Sequence, residues 1–184
     1  FDIKGINKAP AVFDINKLKW MNGEYIRKLT PEEFHNLAKP YYDGVIANSN
    51  IDLFKISKLL QPRTEVLSSI PENLDFFNKL PDYDTELYVN KKMKTTKENS
   101  LESLKAALPV LESISDWNEQ NIYNELVHLV TRLGVKNGMV FWPVRVALSG
   151  LMSTPGGAVE IADIIGKEET LKKIKKGMEL LSNN

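Results

Sequence analysis

The stretch NIYNELVHLVTRLG, residues 121–134, predicts an α-helix with one apolar face. Its apolar residues recur at spacings of three and four, which places their side chains on one side of a helix: Ile122, Leu126, Leu129 or Val130, and Leu133. Gly134 follows at once, and glycine is the residue that most often ends a helix, because it adopts the left-handed conformation without strain. This stretch therefore predicts a helix that packs against others.

The same spacing appears on both sides of this stretch. Upstream, an apolar face is formed by Leu101, Leu104, Leu108 and Leu111. Downstream, the last predicted helix has an apolar face formed by Leu171, Ile174, Met178 and Leu181. Strict alternation of apolar and polar residues, the pattern of a half-buried strand, is scarce. The sequence predicts an all-α fold.

A helix start is also predicted near the N-terminal end of the chain. In LTPEEF, Thr30 has the position of an N-cap, Pro31 the first helical position, and Glu33 the third, which together make a capping box. This helix should end near Lys39, because Pro40 disfavours helical geometry in the residue before it.

The pattern of helices predicts two tandem helical-bundle subdomains. Helical periodicity fades between about residues 80 and 99, where the sequence is polar and charged. We therefore expect a first subdomain over residues 1–80, a junction over 81–97 and a second subdomain over 98–184.

Composition narrows the possible functions. Lys and Arg number 24, Asp and Glu also number 24, and the chain has no cysteine. A nucleic-acid surface would have to be local, since the net charge is zero. Thiolate chemistry and disulfides are excluded. No apolar run approaches the roughly 18 residues of a membrane span, so the sequence predicts a cytoplasmic protein with no membrane partner.

Catalytic patterns are also missing from the sequence. The only two histidines, His35 and His128, are far apart and have no metal-ligand spacing around them, so structural or surface roles are predicted for both. Phosphate-binding glycine loops and nucleophile elbows are absent. We predict no catalytic residue and no metal site in this chain.

Six motifs in order carry a resemblance to a known family. The segment KAPAVFDINKLKWMNGEYIRKLTPEE, residues 8–33, resembles the part of bacterial glutamyl-tRNA synthetases that follows the catalytic domain. The similarity continues through LLQPRTEVL, GVKNG, PVRVALSG, TPGG and IIGKEETLKKI. It covers nearly the whole chain.

The resemblance implies an all-helical anticodon-binding region of a glutamate–tRNA ligase, a class I aminoacyl-tRNA synthetase that serves protein biosynthesis. Its catalytic domain, in the same polypeptide, would lie before Phe1 and would use ATP and Mg²⁺, so this chain alone should be inactive. The implied partner is glutamate tRNA, or glutamine tRNA as well. Glutaminyl-tRNA synthetases that read anticodons with β-barrels fit poorly, because this chain lacks strand alternation. The alternative is a helical scaffold or protein-interaction domain that binds no RNA.

Arg63 is the first candidate site residue. It follows Pro62 at the end of a helix predicted over residues 50–61. The resemblance implies that this arginine contacts the third anticodon base, C36. The structural alternative is a cation that stabilises a helix C-terminus, worth about 0.3 to 1 kcal/mol.

Arg145 is the second candidate. We expect Pro143 to fix the first turn of a helix, with Trp142 extended before it and Arg145 within that turn. The resemblance places this arginine in the anticodon pocket. Alternatively, it extends from a core helix past Val144 and Val146 to solvent.

The loop STPGG, residues 153–157, supplies the remaining candidates. The resemblance implies that Thr154 and Pro155, with Gly156, present main-chain groups to the first anticodon base. Relatives often have a bulky apolar residue at the position of Gly157, which puts packing on that base in doubt.

Other flat or basic side chains receive structural predictions. Trp20 and Trp117 are predicted to pack in the core, while Trp142 could serve as a stacking platform or a core residue. A solvated face is predicted for Lys172, Lys173, Lys175 and Lys176.

Overall fold

The computed structural model describes residues 13–47 and 51–183. Within these ranges the chain forms nine α-helices, and its only β structure is a single bridge between Asn90 and Thr95. The predicted all-α fold is confirmed. The helices are α1 (Ile15–Lys28), α2 (Pro31–Ala38), α3 (Leu53–Leu60), α4 (Asp75–Asn78), α5 (Lys97–Ser113), α6 (Glu119–Leu133), α7 (Asn137–Ser149), α8 (Ala158–Ile165) and α9 (Lys167–Ser182).

Local sequence signals set several helix ends as predicted. The Thr30 hydroxyl accepts from the Glu33 N–H at 3.2 Å, and the Glu33 carboxylate accepts from the Thr30 N–H at 2.8 Å. This capping box starts α2, which ends at Ala38. Gly134 ends α6 in the left-handed conformation, with φ of 66°. Both predictions are confirmed.

The predicted interior faces meet in a core. Helix α5 packs against α6, α7 and α9, while α3 packs against α2 and α8. Leu104, Leu126 and Ile174 are completely buried. The buried residues of both predicted halves belong to one hydrophobic cluster, so the division into two subdomains stays a prediction.

Residues 81–97 pack against this core through a short 3-10 turn over residues 85–88. Tyr88 is completely buried, and its hydroxyl lies 2.9 Å from that of Tyr83. The polar composition of the segment reflects its exposed side chains, while Tyr88, Thr85 and Thr95 are buried.

Our prediction for the start of α7 is wrong. The helix begins at Asn137, and Pro143 lies in its interior, so Trp142 is helical and Arg145 lies in the third turn. Proline removes one main-chain hydrogen bond and normally kinks a helix. Here Pro143 and its neighbours are buried on the packed side of α7, and tertiary packing outweighs the local cost.

Two side-chain predictions are also wrong. Trp20 is 56% exposed rather than packed in the core. Lys173 is buried rather than solvated, because its ammonium reaches two main-chain acceptors: it donates to the Phe76 carbonyl at 3.3 Å and the Leu148 carbonyl at 3.1 Å. Burial lowers the pKa of Lys173. The prediction for Trp117 is confirmed, since its indole N–H donates to the Ala162 carbonyl.

Helix α1 leaves an apolar face in solvent. Gly23 and Ile26 are its only buried residues. The exposed apolar side chains on and just before α1 are Phe13, Ile15, Leu18, Trp20, Met21 and Tyr25. Residues Pro10 to Val12 of the resembling motif lie outside the described residues, as does residue 50 of the helix predicted over residues 50–61. None of the described helices is both long enough and apolar enough to cross a bilayer.

Candidate nucleic-acid interface

One groove brings together candidate residues that are far apart in sequence. Arg63 and the loop residues Ser153, Thr154 and Pro155 line a cavity of about 320 Å³. The rest of the lining comes from the N-terminal half of the chain: Leu60, Thr64, Ser69, Ile70 and Asn73. Three of the five candidates therefore share a concave surface.

Arg63 reaches this groove from the end of α3. The helix covers Leu53–Leu60, shorter than the predicted 50–61, and continues as a 3-10 turn over Gln61–Arg63. The Arg63 Nη1 donates to the Leu59 carbonyl at 2.9 Å. The residue is exposed, so Arg63 caps its own helix and also lines the groove. The two interpretations of this arginine are compatible.

Arg145 is held in place on several sides. Its Nη1 donates to the Thr154 hydroxyl and its Nη2 to the Met152 carbonyl, both at 2.9 Å. Its guanidinium lies 4.4 Å from the centre of the Trp142 ring system. Burial lowers the pKa of Arg145, but an arginine stays charged in proteins. Arg145 therefore neither extends freely to solvent nor projects unbound into the groove.

The loop that Arg145 holds has its own internal bonds. The Thr154 hydroxyl donates to the Gly156 carbonyl at 2.6 Å. The Gly157 N–H donates to the Glu160 carboxylate at 3.2 Å, at the start of α8. A Cβ at Gly156 would lie 2.8 Å from the Leu59 side chain, so the loop approaches α3 closely there. These contacts fix the main-chain groups that Thr154 and Pro155 present.

A second cavity, of about 750 Å³, lies beside the groove. Arg145 lines this cavity rather than the groove that contains Arg63. Its walls include the aromatic side chains of Tyr123, Phe141 and Trp142. The Trp142 indole N–H donates to the Leu87 carbonyl at 2.9 Å, so this ring is fixed. Gly157 also lines the cavity. A bulky residue at this position, as relatives often have, would occupy part of this space.

Charges of both signs surround Arg63. A third hollow is lined by the cations Lys55, Lys58 and Arg63 and by the carboxylates Glu119, Glu160 and Asp163. The Lys55 ammonium lies 2.8 Å from the Asp163 carboxylate, which is only 9% exposed. Among residues 13–47 and 51–183, no group of three or more His, Asp or Glu side chains could hold a metal ion.

Neither predicted histidine role involves this surface. His35 contacts the Ser57 hydroxyl at 2.8 Å, and Ser57 also contacts the buried Tyr42 hydroxyl at 2.6 Å. His128 is 74% exposed and lies 3.8 Å from Glu125. The predicted structural and surface roles are confirmed.

Sequence reasoning missed the other residues of the groove. Ser69 and Asn73 line it from a 3-10 region that has no helical periodicity. Lys55 and Asp163 pair across more than 100 residues. No local sequence pattern predicts such contacts. The only signal is that Asp163 is a charged residue within the apolar sequence of α8.

Comparison with known proteins shows the family to which the chain is similar. The model of the family described as anticodon binding domain matches residues 33–178. Glutamate–tRNA ligases from Clostridium tetani and Clostridium acetobutylicum are 63% and 62% identical over 183 and 181 residues. These alignments cover 100% and 98% of this chain but 37% of each relative. The chain thus spans a little over a third of their length.

The fold is similar to that of a solved relative. The crystal structure of a glutamate tRNA ligase from Elizabethkingia meningosepticum, in complex with its amino acid, superposes with a TM-score of 0.78 at 26% identity. The match covers 98% of this chain and 35% of that one.

Proposed function

This chain belongs to the anticodon-binding domain family, and from that premise we propose that it holds the anticodon loop of glutamate tRNA for a glutamate–tRNA ligase of which it forms part. The observation that carries the proposal is the groove shared by Arg63, Thr154 and Pro155. In this groove, residues of two motifs that are far apart in sequence line one concave surface, and Arg145 lies beside it, held by its hydrogen bonds. The predicted cytoplasmic location belongs to the same proposal.

The chemistry of the groove suits unstacked bases. Anticodon loops are single-stranded, and proteins read such loops by stacking bases on flat side chains and bonding to their edges. Arg63 is exposed and has more donors than its one bond to Leu59 uses. We assign it to the third anticodon base, C36. On its Watson–Crick edge, a cytosine presents the O2 and N3 acceptors to the guanidinium, whereas a guanine presents its N1–H and N2–H donors there.

The loop suits a different role. Thr154 and Pro155 would present main-chain groups to the first anticodon base, with Arg145 holding the loop in place. Gly156, which is buried against Leu59, would support them from below. Because Arg145 already donates to Thr154 and Met152, the loop needs little ordering on binding. Preorganisation of this kind lowers the entropic cost of recognition.

The aminoacylation chemistry belongs to the rest of the parent polypeptide. ATP and Mg²⁺ would act there, since glutamate must be activated before its transfer to tRNA. The exposed apolar face of α1 is large for a free surface. We expect the remainder of the parent chain to cover it.

The alternative of a scaffold without RNA binding has no observation in its favour. The chain would bind glutamine tRNA as well only if it tolerated bases other than cytosine at position 36.

A binding titration tests the proposal. The chain is titrated with a stem-loop of glutamate tRNA and with a copy in which C36 is changed to G, at low and moderate salt. We expect a preference for C36 of about 1 to 3 kcal/mol, the usual value of one good base contact. Arg63→Gln should remove that preference. Affinity should fall with salt, with a log-log slope of about 0.7 per contacted phosphate.

Arg132→Gln is the matched control. Arg132 is an exposed arginine in the last turn of α6 and does not line the groove. Its loss removes the same charge and should leave the C36 preference unchanged. Absence of binding by wild type at low salt would refute the proposed function. Equal loss of preference in both variants would refute the role of Arg63.

A further inference from the structure

The two walls of the groove come from separate parts of the chain. One wall runs from α3 through residues 60–73, and the other is the loop of residues 153–155. A base can contact both walls only if their separation is held within a fraction of an ångström to about one ångström. The contacts that join the walls are therefore functional candidates.

The Lys55–Asp163 ion pair is the first of these contacts. Lys55 lies on α3 and Asp163 on α8, and their charged groups are 2.8 Å apart. The Asp163 carboxylate is almost fully buried. A buried carboxylate is costly without a partner, so Asp163 holds Lys55, and with it α3, in one position on α8.

Leu59 extends this connection to the reading residues. Lys55 and Leu59 are one turn apart on α3, and the Leu59 carbonyl accepts from Arg63. The Leu59 side chain approaches Gly156 so closely that a Cβ there would be 2.8 Å away. A shift of α3 along α8 would therefore move Arg63 relative to Thr154 and Pro155.

Lys173 joins the walls at the other end. Its buried ammonium donates to the Phe76 carbonyl, just after the groove residues 69–73, and to the Leu148 carbonyl. Leu148 lies close to the end of α7, which leads into the 153–155 loop. Lys173 thus connects the N-terminal wall to the base of the loop. A residue on α9 therefore bonds to the segments next to both walls without lining the groove itself.

We propose that Lys55, through Asp163, and Lys173 are positioning residues that fix the separation of the groove walls and thereby set anticodon discrimination. This inference rests on the proposed function. Neither lysine lines the groove, and each acts through residues that adjoin its walls. Loss of either link should allow the walls to move, and the correct and incorrect bases should then bind with similar affinity.

The wall separation can be measured without RNA. Because the chain has no cysteine, the pair Glu72→Cys and Met152→Cys places one spin label beside each wall, at two exposed positions. Dipolar spectroscopy of the labelled chain should give one narrow distance distribution. Lys55→Met should broaden or shift it by several ångströms, and the charge swap Lys55→Asp with Asp163→Lys should restore it.

The second readout is the ratio of dissociation constants for the G36 and C36 stem-loops. Lys55→Met should reduce this ratio at least fivefold, and the charge swap should recover most of it. Lys58→Met is the matched control, because Lys58 lies one turn from Lys55 and its ammonium rests over the Phe54 ring at 4.7 Å. It removes a positive charge near the same groove, so both RNAs should weaken equally and the ratio should stay unchanged.

Lys173→Met should broaden the distance distribution and lower the ratio in the same way, if the variant folds. Should it not fold, the Lys55 series tests the proposal alone. An unchanged distance distribution in folded Lys55→Met would overturn the inference, as would an unchanged ratio. If wild type binds neither RNA, the proposed function fails, while the distance measurements still decide whether the lysines fix the walls.

Discussion

Arg63 and Arg145 have opposite surroundings in the same surface. Arg63 is exposed and bonds to a carbonyl one turn back in its own helix. Arg145 is half-buried, bonds to two residues of a loop and lies over Trp142. Two arginines from resembling motifs therefore differ in structure: Arg63 keeps donors exposed at the surface, whereas Arg145 holds a loop in place.

The surroundings of Arg145 form a rigid region. Trp142 is fixed to Leu87, and the loop after Gly150 is fixed by Arg145 and by the start of α8. Arg63 has no comparable enclosure. Stability measurements should therefore separate the two regions clearly, with large losses around Arg145 and small ones at Arg63.

The largest loss is expected for Gly150→Ala. Gly150 ends α7 with φ of 64°, and a Cβ there would lie 2.7 Å from the Tyr83 ring and 3.0 Å from the Pro81 ring. The left-handed conformation costs an L-residue roughly 1 to 2 kcal/mol, and overpacking adds about 1 to 3 kcal/mol. The free energy of unfolding in urea should fall by about 2 to 5 kcal/mol.

Gly44→Ala is the control for this prediction. Gly44 has φ of 79°, but no atom of the residues that the structure describes lies within 4 Å of a Cβ built there. It therefore measures backbone strain alone, and its cost should be clearly smaller. Equal losses at the two glycines would mean that Tyr83 and Pro81 do not pack tightly against the start of the loop.

Arg145→Ala is expected to have the next largest effect. Hydrogen bonds made by charged groups contribute about 1.5 to 3 kcal/mol, so the free energy of unfolding should fall by roughly that amount. Arg63→Ala, at an exposed position, should change it by about 0.5 kcal/mol or less. Arg145→Lys keeps the charge but cannot bond to Thr154 and Met152 with the same geometry, and it should recover only part of the loss. A similar effect of both alanine variants would remove the distinction between the two regions.

Local signals made the helices predictable, but not the position of Arg145. The capping box at Thr30 and the glycine at 134 act within a few residues, so the ends of α2 and α6 could be predicted. Pro143 has an equally local preference, yet burial of its neighbours places it inside α7. The start of that helix depends on the core, which no local rule describes.

The same reason limits prediction of the site. Motifs from the resembling family indicated Arg63 and the 153–157 loop, and the structure places Arg63, Thr154 and Pro155 in one groove. Lys173 was predicted on a solvated face because its neighbours in sequence are lysines, but its acceptors belong to α4 and α7. The sequence around a lysine in a basic run does not indicate that its ammonium bonds to carbonyl groups far away in the chain.

The smallest effect concerns Tyr88, which follows Leu87, the residue whose carbonyl accepts from Trp142. Burial raises the pKa of Tyr88 above its ordinary value of 10.0. The unfolded chain loses this proton near pH 10, whereas the folded chain keeps it. The stability that the neutral phenol provides is therefore complete below pH 10 and is lost as the pH rises further. Between pH 9 and 11, wild type should lose about 1 kcal/mol more than Tyr88→Phe.

At pH 7 wild type should be more stable than Tyr88→Phe. Tyr88→Phe removes the hydrogen bond to the Tyr83 hydroxyl, which should cost about 1 kcal/mol. The two unfolding curves should thus converge as the pH rises. Tyr25→Phe removes a phenol that is 66% exposed and is the control for the loss of one hydroxyl. If Tyr88→Phe loses stability with pH as steeply as wild type, the phenol of Tyr88 is accessible to solvent, and the region that supports Arg145 is less rigid than its contacts indicate.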